Sequence, residues 1–312
     1  MARLSSPLPT QDPGLGEKFT ARTQRQVNRD GTFNVRRLGP KWVPGDWYHY
    51  WVSLSWPRFG VALLGWVTFI NSAFAAGYMA IGYQASLLGA PPASSWWERF
   101  LDAFFFSVQT FTSVGYGVIS PKGIAAGFLS SFEALAGVLT FAVITGVVYA
   151  RFSKPTARIL FSDAAIITPP DPKTGLRRFM LRIANERTNT VIDMTARIIL
   201  SVMHRDFTRR YYALPLERDS VMFFPLNWTL VHDIDPESPL YELTPEDLEA
   251  QNAEILILLR GFDDTYAQDI NARCSYRYDE IRWNHRFVRP YRTTETGETL
   301  LDLNLLSITE EG

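Results

Sequence analysis

Hydrophobic positions along this chain follow two different rhythms. From Phe59 to Trp97 there is no Asp, Glu, Lys or Arg, and from Gly123 to Ala150 Glu133 alone carries a charge. Gly60 to Tyr83 is a 24-residue uncharged run, and about 20 such residues of helix cross a bilayer. Together with Gly123 to Phe152 it predicts two membrane-spanning helices. Between them, after a Gly, Pro, Ser and Ala loop at 84–96, Glu98 to Thr110 (E-R-F-L-D-A-F-F-F-S-V-Q-T) reads as an apolar helix too short to cross. Backbone that re-enters at membrane depth is tolerated only where protein or a water-filled cavity surrounds it. A half-length helix of this kind therefore implies a pore made by several copies of the chain.

Beyond residue 158 the period changes to two. Ile192, Met194, Ala196, Ile198, Leu200 and Val202 alternate with Asp193, Thr195, Arg197 and Ser201, and Ile270, Ala272, Cys274, Tyr276 and Tyr278 alternate with Asn271, Arg273, Ser275, Arg277 and Asp279. Such alternation marks half-buried strands. With turn clusters such as Pro169 to Gly175 it predicts an antiparallel sandwich across 159–308. Thr244, Pro245 and Asp247 mark the start of one short helix within it. The fold class expected is an α + β membrane protein, with a helical pore region followed by a β-rich domain.

Ahead of the first span, Asp46 to Trp56 (D-W-Y-H-Y-W-V-S-L-S-W) is aromatic and ends at Pro57. Its Trp and Tyr content suits a helix lying in the membrane interface. Residues 1–45 hold eight Lys or Arg against three acids with little periodicity. They read as mostly disordered or extended, on the cytoplasmic side by the positive-inside rule, and without a cleavable signal peptide.

Composition adds exclusions. With 31 basic and 32 acidic residues the chain carries no nucleic-acid signature. One cysteine, Cys274, rules out an intrachain disulfide and a CxxC motif. His49, His204, His232 and His285 are scattered, and no GxGxxG, GxxxxGK[ST] or HExxH is present. Neither an enzyme nor a cofactor is expected.

The candidate chemistry lies at Gln109 to Gly117, Q-T-F-T-S-V-G-Y-G, just after the half-length helix. Gly115 and Gly117 alternate with bulkier residues, and glycine tolerates φ > 0 at little cost. That alternation lets successive carbonyls turn to one side. Four such ladders, built from Ser113, Val114, Gly115, Tyr116 and Gly117, would replace the water shell of a potassium ion, as T-V-G-Y-G loops do.

Other residues serve that loop or the spans around it. A carboxyl inside a span costs about 2.5–3.5 kcal/mol, so Glu133 must face protein or water. It serves either a structural hydrogen bond behind the filter, the preferred reading, or direct ion attraction. Gly123 and Gly127 form a GxxxG pair suited to close packing. Gly137 is either a bending point or a packing contact. Arg151, Lys154 and Arg158 cluster after the second span, where positive-inside anchoring and binding of an anionic headgroup are both open.

The interfacial D-W-Y-H with S-W-P-R-F, the F-F-F-S-V-Q-T-F-T-S-V-G-Y-G stretch, A-R-F-S-K-P at the exit of the second span, S-P-L-Y at 238–241, A-R-C-S-Y and D-E-I-R-W-N-H-R-F across 272–287 all resemble prokaryotic inward-rectifier potassium channels. The likeness runs from about Asp46 to Ser307. It implies a homotetramer in the cell (inner) membrane with both termini cytoplasmic. It also implies two spans and a re-entrant pore helix per subunit, an interfacial slide helix and a cytoplasmic immunoglobulin-like β-sandwich. The layout expected is a 1–45 segment, a 46–57 slide helix, a 58–154 pore domain and a 155–312 cytoplasmic domain. Within the pore domain the outer helix covers about 58–84, the pore helix about 98–110, the filter 113–117 and the inner helix about 122–152.

By position the resemblance places the gate at Tyr149, which is otherwise an interface-anchoring tyrosine, and the pore cavity at Phe141 and Thr145. Phe141 stands where strongly rectifying eukaryotic members carry an acid. Gln109 and Ile119 stand where those members brace the filter with a Glu and Arg pair, so some other bracing is implied and Glu133 is a candidate member of it. The resemblance further implies control by anionic lipid, possible phosphoinositide partners being held by Lys41, Arg151, Lys154 and Arg158, with inhibition as the expected sign. Potassium is the permeant ion. The alternative is a membrane-tethered β-sandwich sensor without conduction; a transporter is weaker, because two spans offer no internal repeat for alternating access.

Overall fold

The structure, a computed structural model, describes residues 10, 12–16, 23, 25–36, 38, 47–92, 95–153, 158–187 and 189–312. It divides into two compact units, one holding 38–154 and the other 1–37 with 155–312.

The first unit is helical. Helix α1 (Trp47–Ser53) is followed by α2 (Trp56–Ile81) and by a single turn, α3 (Tyr83–Ser86). The two-residue strand β1 (Leu87–Leu88), α4 (Trp96–Phe111), strand β2 (Ser120–Pro121) and α5 (Gly123–Phe152) complete it. Among the described residues, α2 and α5 are the two helices long and apolar enough to cross a membrane. Two expected boundaries change. Pro57 does not end the aromatic helix; it sits in the first turn of α2, where its missing N–H costs nothing. Asp46, at the start of the aromatic stretch, lies outside the described residues. The first span stops at Ile81 rather than near residue 84, because Gly82 turns left-handed (φ 114°) while its N–H closes the last turn on the Tyr78 carbonyl at 3.1 Å.

Phe74, Ala75, Tyr78, Tyr83, Leu87, Ala103, Phe106 and Ala126 form the core where α2, α4 and α5 meet. Gly137 lets α5 approach α4: a Cβ there would strike the carbonyl oxygen of Phe111, the last residue of α4. Of the two uses open for Gly137, the structure shows the packing contact. Gly123 and Gly127 do not pack in the same way; among the described residues nothing lies within 4 Å of a Cβ placed on either. Gly123 instead supplies a left-handed first residue for α5 (φ 81°).

The second unit is a sandwich. Its strands are β3 (Ile159–Phe161), β4 (Ala165–Ile167), β5 (Arg177–Asn185), β6 (Val191–Met203), β7 (Arg209–Leu214), β8 (Ser220–Phe223) and β9 (Asn227–Ile234). After helix α6 (Pro245–Ala250) come β10 (Glu254–Asp263), β11 (Gln268–Arg277) and β12 (Ile281–Trp283). One five-stranded sheet runs β11-β10-β6-β7 with β8 also on β6; the other runs β12-β4-β5-β3 with β9 also on β5. The inward set of β6, Met194, Ala196, Ile198, Leu200 and Val202, meets Phe179, Leu181, Ile183 and Leu230 in the shared core. One pair departs from the antiparallel expectation: β4 and β12 run parallel. Thr244 and Asp247 cap α6 reciprocally. Past the sandwich, β13 (His285–Phe287) pairs with β16 (Thr309–Glu311), and β14 (Tyr291–Thr293) with β15 (Thr299–Leu301).

Among the described residues, Arg25, Gln26 and Val27 pack on this sandwich, while most of 1–45, read as mostly disordered or extended, lies outside the described residues. Buried Glu254 accepts the N–H groups of Gln26 and Val27 at 2.8 and 3.1 Å. Arg25 forks onto Glu280 at 3.1 and 2.8 Å and donates to the Ser275 carbonyl at 2.7 Å. The partners lie more than two hundred residues away in sequence, so no local pattern announces them.

Two outcomes follow from this packing. Alanine at Gly137 should destabilise the helical unit by about 1–3 kcal/mol, the usual cost of overpacking, read as earlier thermal dissociation of the detergent-solubilised protein. His232 is buried with Nδ1–H donating to the Pro215 carbonyl at 2.6 Å and Nε2 accepting from Ser238 Oγ at 2.7 Å. Burial holds its pKa below the ordinary 6.5, so the unfolded chain takes up the proton first as the pH falls. The stabilisation is present above the unfolded value and is lost as pH drops below it, by at most about 1.4 kcal/mol per pH unit. The protection factors of the β9 amides in the intact protein, exchange rates taken relative to the intrinsic rate at each pH, should therefore fall between about pH 7 and 5, and His232→Gln should flatten that response.

Candidate functional site, the filter loop and its supports

The loop at 112–119 begins where α4 ends, and α4 is fixed at both ends by its own sequence. At its start Ser95 Oγ accepts the Glu98 N–H at 3.2 Å while the Glu98 carboxylate accepts the Ser95 N–H at 3.3 Å, a reciprocal cap. At its end the Gln109 carbonyl accepts two N–H groups, from Val114 at 2.9 Å and Gly115 at 3.3 Å, while Ser113 N–H bonds to Thr110 at 3.1 Å. The chain leaves the helix already turned.

From there the backbone alternates. Ser113, Gly115 and Gly117 take φ of 58°, 49° and 82°, whereas Val114 and Tyr116 between them stay at negative φ. Alternating left- and right-handed conformations rotate successive peptide planes so that their carbonyls share one side. The glycines were legible; the left-handed Ser113 was not, because a non-glycine residue there is uncommon. Val114 and Tyr116 are 54% and 76% exposed, so the loop is held by its ends and not by side-chain burial within one chain.

Behind α4 lies a buried polar cluster. Glu133 of α5, fully buried, accepts a hydrogen bond from Tyr78 Oη of α2 at 2.6 Å and another from Ser107 Oγ of α4. Ser107 Oγ also lies 2.9 Å from Asn71 Oδ1, and Asn71 Nδ2 donates to the Val67 carbonyl at 2.7 Å. Sequence reasoning singled out Glu133 and missed Tyr78, Ser107 and Asn71. Asn71 and Tyr78 are polar side chains seven apart in an apolar helix, a spacing that puts both on one face, and this was the available signal.

Phe141, Thr145 and Tyr149 recur every fourth residue along α5 and are all exposed; Thr145 Oγ1 donates to the Phe141 carbonyl at 2.9 Å. Arg151, two residues on, donates to the carbonyls of Trp51, Val52 and Leu54 at 2.7, 3.2 and 2.7 Å. Its guanidinium thus bonds to the C-terminal end of α1 and the residue that follows it. Arg158, in the sandwich unit, lies 3.6 Å from Glu186 with 60% of its side chain exposed. Lys41 and Lys154 lie outside the described residues.

Against known proteins, residues 159–311 match the model described as inward rectifier potassium channel C-terminal domain, and residues 59–154 match the ion channel model. The chain is 38% identical over 295 residues to the inward rectifier potassium channel Kirbac3.1 of Paramagnetospirillum magnetotacticum, covering 92% of this chain and 96% of that protein. It is 31% identical to the human ATP-sensitive inward rectifier potassium channel 14, covering 90% of this chain and 68% of the relative. These relatives are channels, and the chain is not an enzyme. A two-span helical unit with a filter-like loop, joined to a β-sandwich and matched by both family models, means that the chain belongs to the inward rectifier potassium channel family.

Proposed function

We propose that four copies of this chain form a potassium-selective pore in the cell inner membrane, with both termini in the cytoplasm, through which potassium passes passively. The observation that carries this reading is the alternation of φ at Ser113, Gly115 and Gly117. It gives one chain a quarter of an oxygen-lined path. The exposed Val114 and Tyr116 agree with a loop that finds its remaining neighbours in other copies.

In this pore Phe141 and Thr145 line the cavity and Tyr149 forms the gate, where four aromatic rings close the path by steric block and dewetting. Glu133 braces the filter through Ser107 on the pore helix. An ion-attracting role fits less well, because both carboxylate oxygens already accept hydrogen bonds. Anionic lipid, a phosphoinositide in particular, inhibits conduction through basic residues at the inner surface; Lys41, Lys154 and Arg158 are the candidates.

Liposomes holding the purified protein should take up potassium and rubidium, barium should stop the uptake, and sodium should not replace them. Gly115→Ala should abolish uptake because alanine resists the left-handed conformation, whereas Tyr149→Ala should raise it. Uptake that ignores barium and Gly115→Ala alike would refute the filter. A glutamine at 133 offers one acceptor oxygen to two hydroxyl donors, and a buried unsatisfied group costs about 1–3 kcal/mol. Glu133→Gln should therefore lower the rubidium-to-sodium flux ratio and the melting temperature of the assembly. Wild-type values for both would remove Glu133 from the bracing role.

A further inference from the structure

Helix α1 has seven residues, none of them buried. A helix that short is marginal alone, and its last carbonyls have no N–H ahead of them in the helix. The Tyr50 carbonyl takes the Leu54 N–H at 3.2 Å. The Trp51, Val52 and Leu54 carbonyls are taken by the one guanidinium of Arg151. That guanidinium also lies over the rings of Trp56 and Phe59, 4.5 and 4.6 Å from their centroids, so its place is fixed by stacking as well as by hydrogen bonds. Side-chain packing does less here: a cleft of about 380 Å³ separates α1 from α2 and α5, lined by Trp47, Trp51, Phe59, Leu63, Leu139 and Val147 among others.

We infer that Arg151 is a positioning residue that ties the cytoplasmic end of α5 to the C-terminal end of α1, and that it is not a ligand for lipid headgroups. Tyr149 lies two residues before it on α5, so a displacement of α1 along the membrane surface is delivered to the segment that carries the proposed gate. Cation charge at a helix C-terminus is favourable in itself, but charge alone does not make this contact. A planar fork reaches three carbonyls at once; an ammonium is a point charge on a flexible stem. The inference rests on the reading of the chain as a potassium channel, and barium-sensitive rubidium uptake by the wild type reports on that reading separately.

Arg151→Lys, Arg151→Gln and Trp56→Leu are compared in the full chain, in liposomes of phosphatidylethanolamine and phosphatidylglycerol titrated with phosphatidylinositol bisphosphate. Both Arg151 variants should change rubidium uptake without phosphoinositide in the same direction by about tenfold, the equivalent of about one charge-assisted hydrogen bond kept in only one gating state. Their rubidium-to-sodium ratio and the phosphoinositide concentration for half effect should stay at wild-type values. Trp56→Leu, which leaves the arginine in place and removes one ring, should move uptake without phosphoinositide the same way to a smaller extent. The inference is overturned if Arg151→Lys behaves as wild type while Arg151→Gln shifts the half-effect concentration, since charge and lipid would then explain the residue. Should neither arginine variant assemble, Trp56→Leu decides alone: wild-type uptake refutes the tie, and altered uptake with an unaltered half-effect concentration supports it.

Discussion

A carboxyl group among apolar helices cannot borrow hydrogen bonds from water, so the helices around it must supply them. Glu133 sets this requirement, and Tyr78 and Ser107 meet it from two different helices. Each hydrogen bond works only at one rotation and one height of its helix, so α2 and α4 are placed against α5 by directional contacts, where lipid-like packing alone allows sliding. Gly137, one turn further along α5, admits the Phe111 carbonyl. The end of α4 is thereby located from two adjacent turns of α5, and that end is where the filter loop starts.

The sandwich meets a similar requirement with backbone groups. Glu254 is buried on a core strand, and its carboxylate is matched by two N–H groups of the N-terminal segment. Burying a carboxylate without such partners costs several kcal/mol per ion, so the segment completes the domain and is not a free tail. Arg209, also buried, donates to Ser201 Oγ at 3.1 Å and to the Thr23 carbonyl at 2.7 Å. Glu254 and Arg209 alternate with the core residues Ile255 and Tyr212 and share a face with Leu256 and Tyr211, which pack with Val27, so buried polar side chains on the outer face of this sheet mark where the N-terminal residues sit.

Features governed by local periodicity were legible in the sequence. The apolar runs gave α2 and α5, the half-length run gave α4, and period two gave the inward sets of β6 and β11. Features set by long-range contact were not. That residues 25–27 pack on the sandwich was not legible, because Glu254 and Glu280 are remote in sequence. The hydrogen bonds of Arg151, for which anchoring and headgroup binding were both open, were not legible because the carbonyls it serves lie about 100 residues earlier. Backbone exceptions at residues other than glycine escaped as well: Ser113, and Asp193, whose φ of 49° falls where the β6–β10 register slips between Arg260 and Phe262. Pro57 was misread for another reason, since a proline that ends one helix is locally identical to one that opens the next.

The far end of the filter loop carries the last step. Gln109 and Ile119, which the resemblance sets where eukaryotic members carry a Glu and Arg pair, are both uncharged. Gln109 serves through its main-chain carbonyl, and Ile119 packs against the core of the helical unit. Past Ile119 the chain pairs with the segment after α3, Ser120 opposite Leu88 and Pro121 opposite Leu87, and Lys122 N–H bonds to the Ser86 carbonyl at 2.7 Å. Gly89 is left-handed there (φ 81°), and a Cβ on it would strike the Val118 carbonyl oxygen. The loop is thus held at its exit by backbone pairing and apolar contact, as it is held at its entry by the Gln109 carbonyl. Removing both members of a charge pair leaves no buried charge uncompensated, and main-chain hydrogen bonds are neither titrated nor screened as ion pairs are. The exit of this loop is therefore kept in place by means that do not depend on ionic strength.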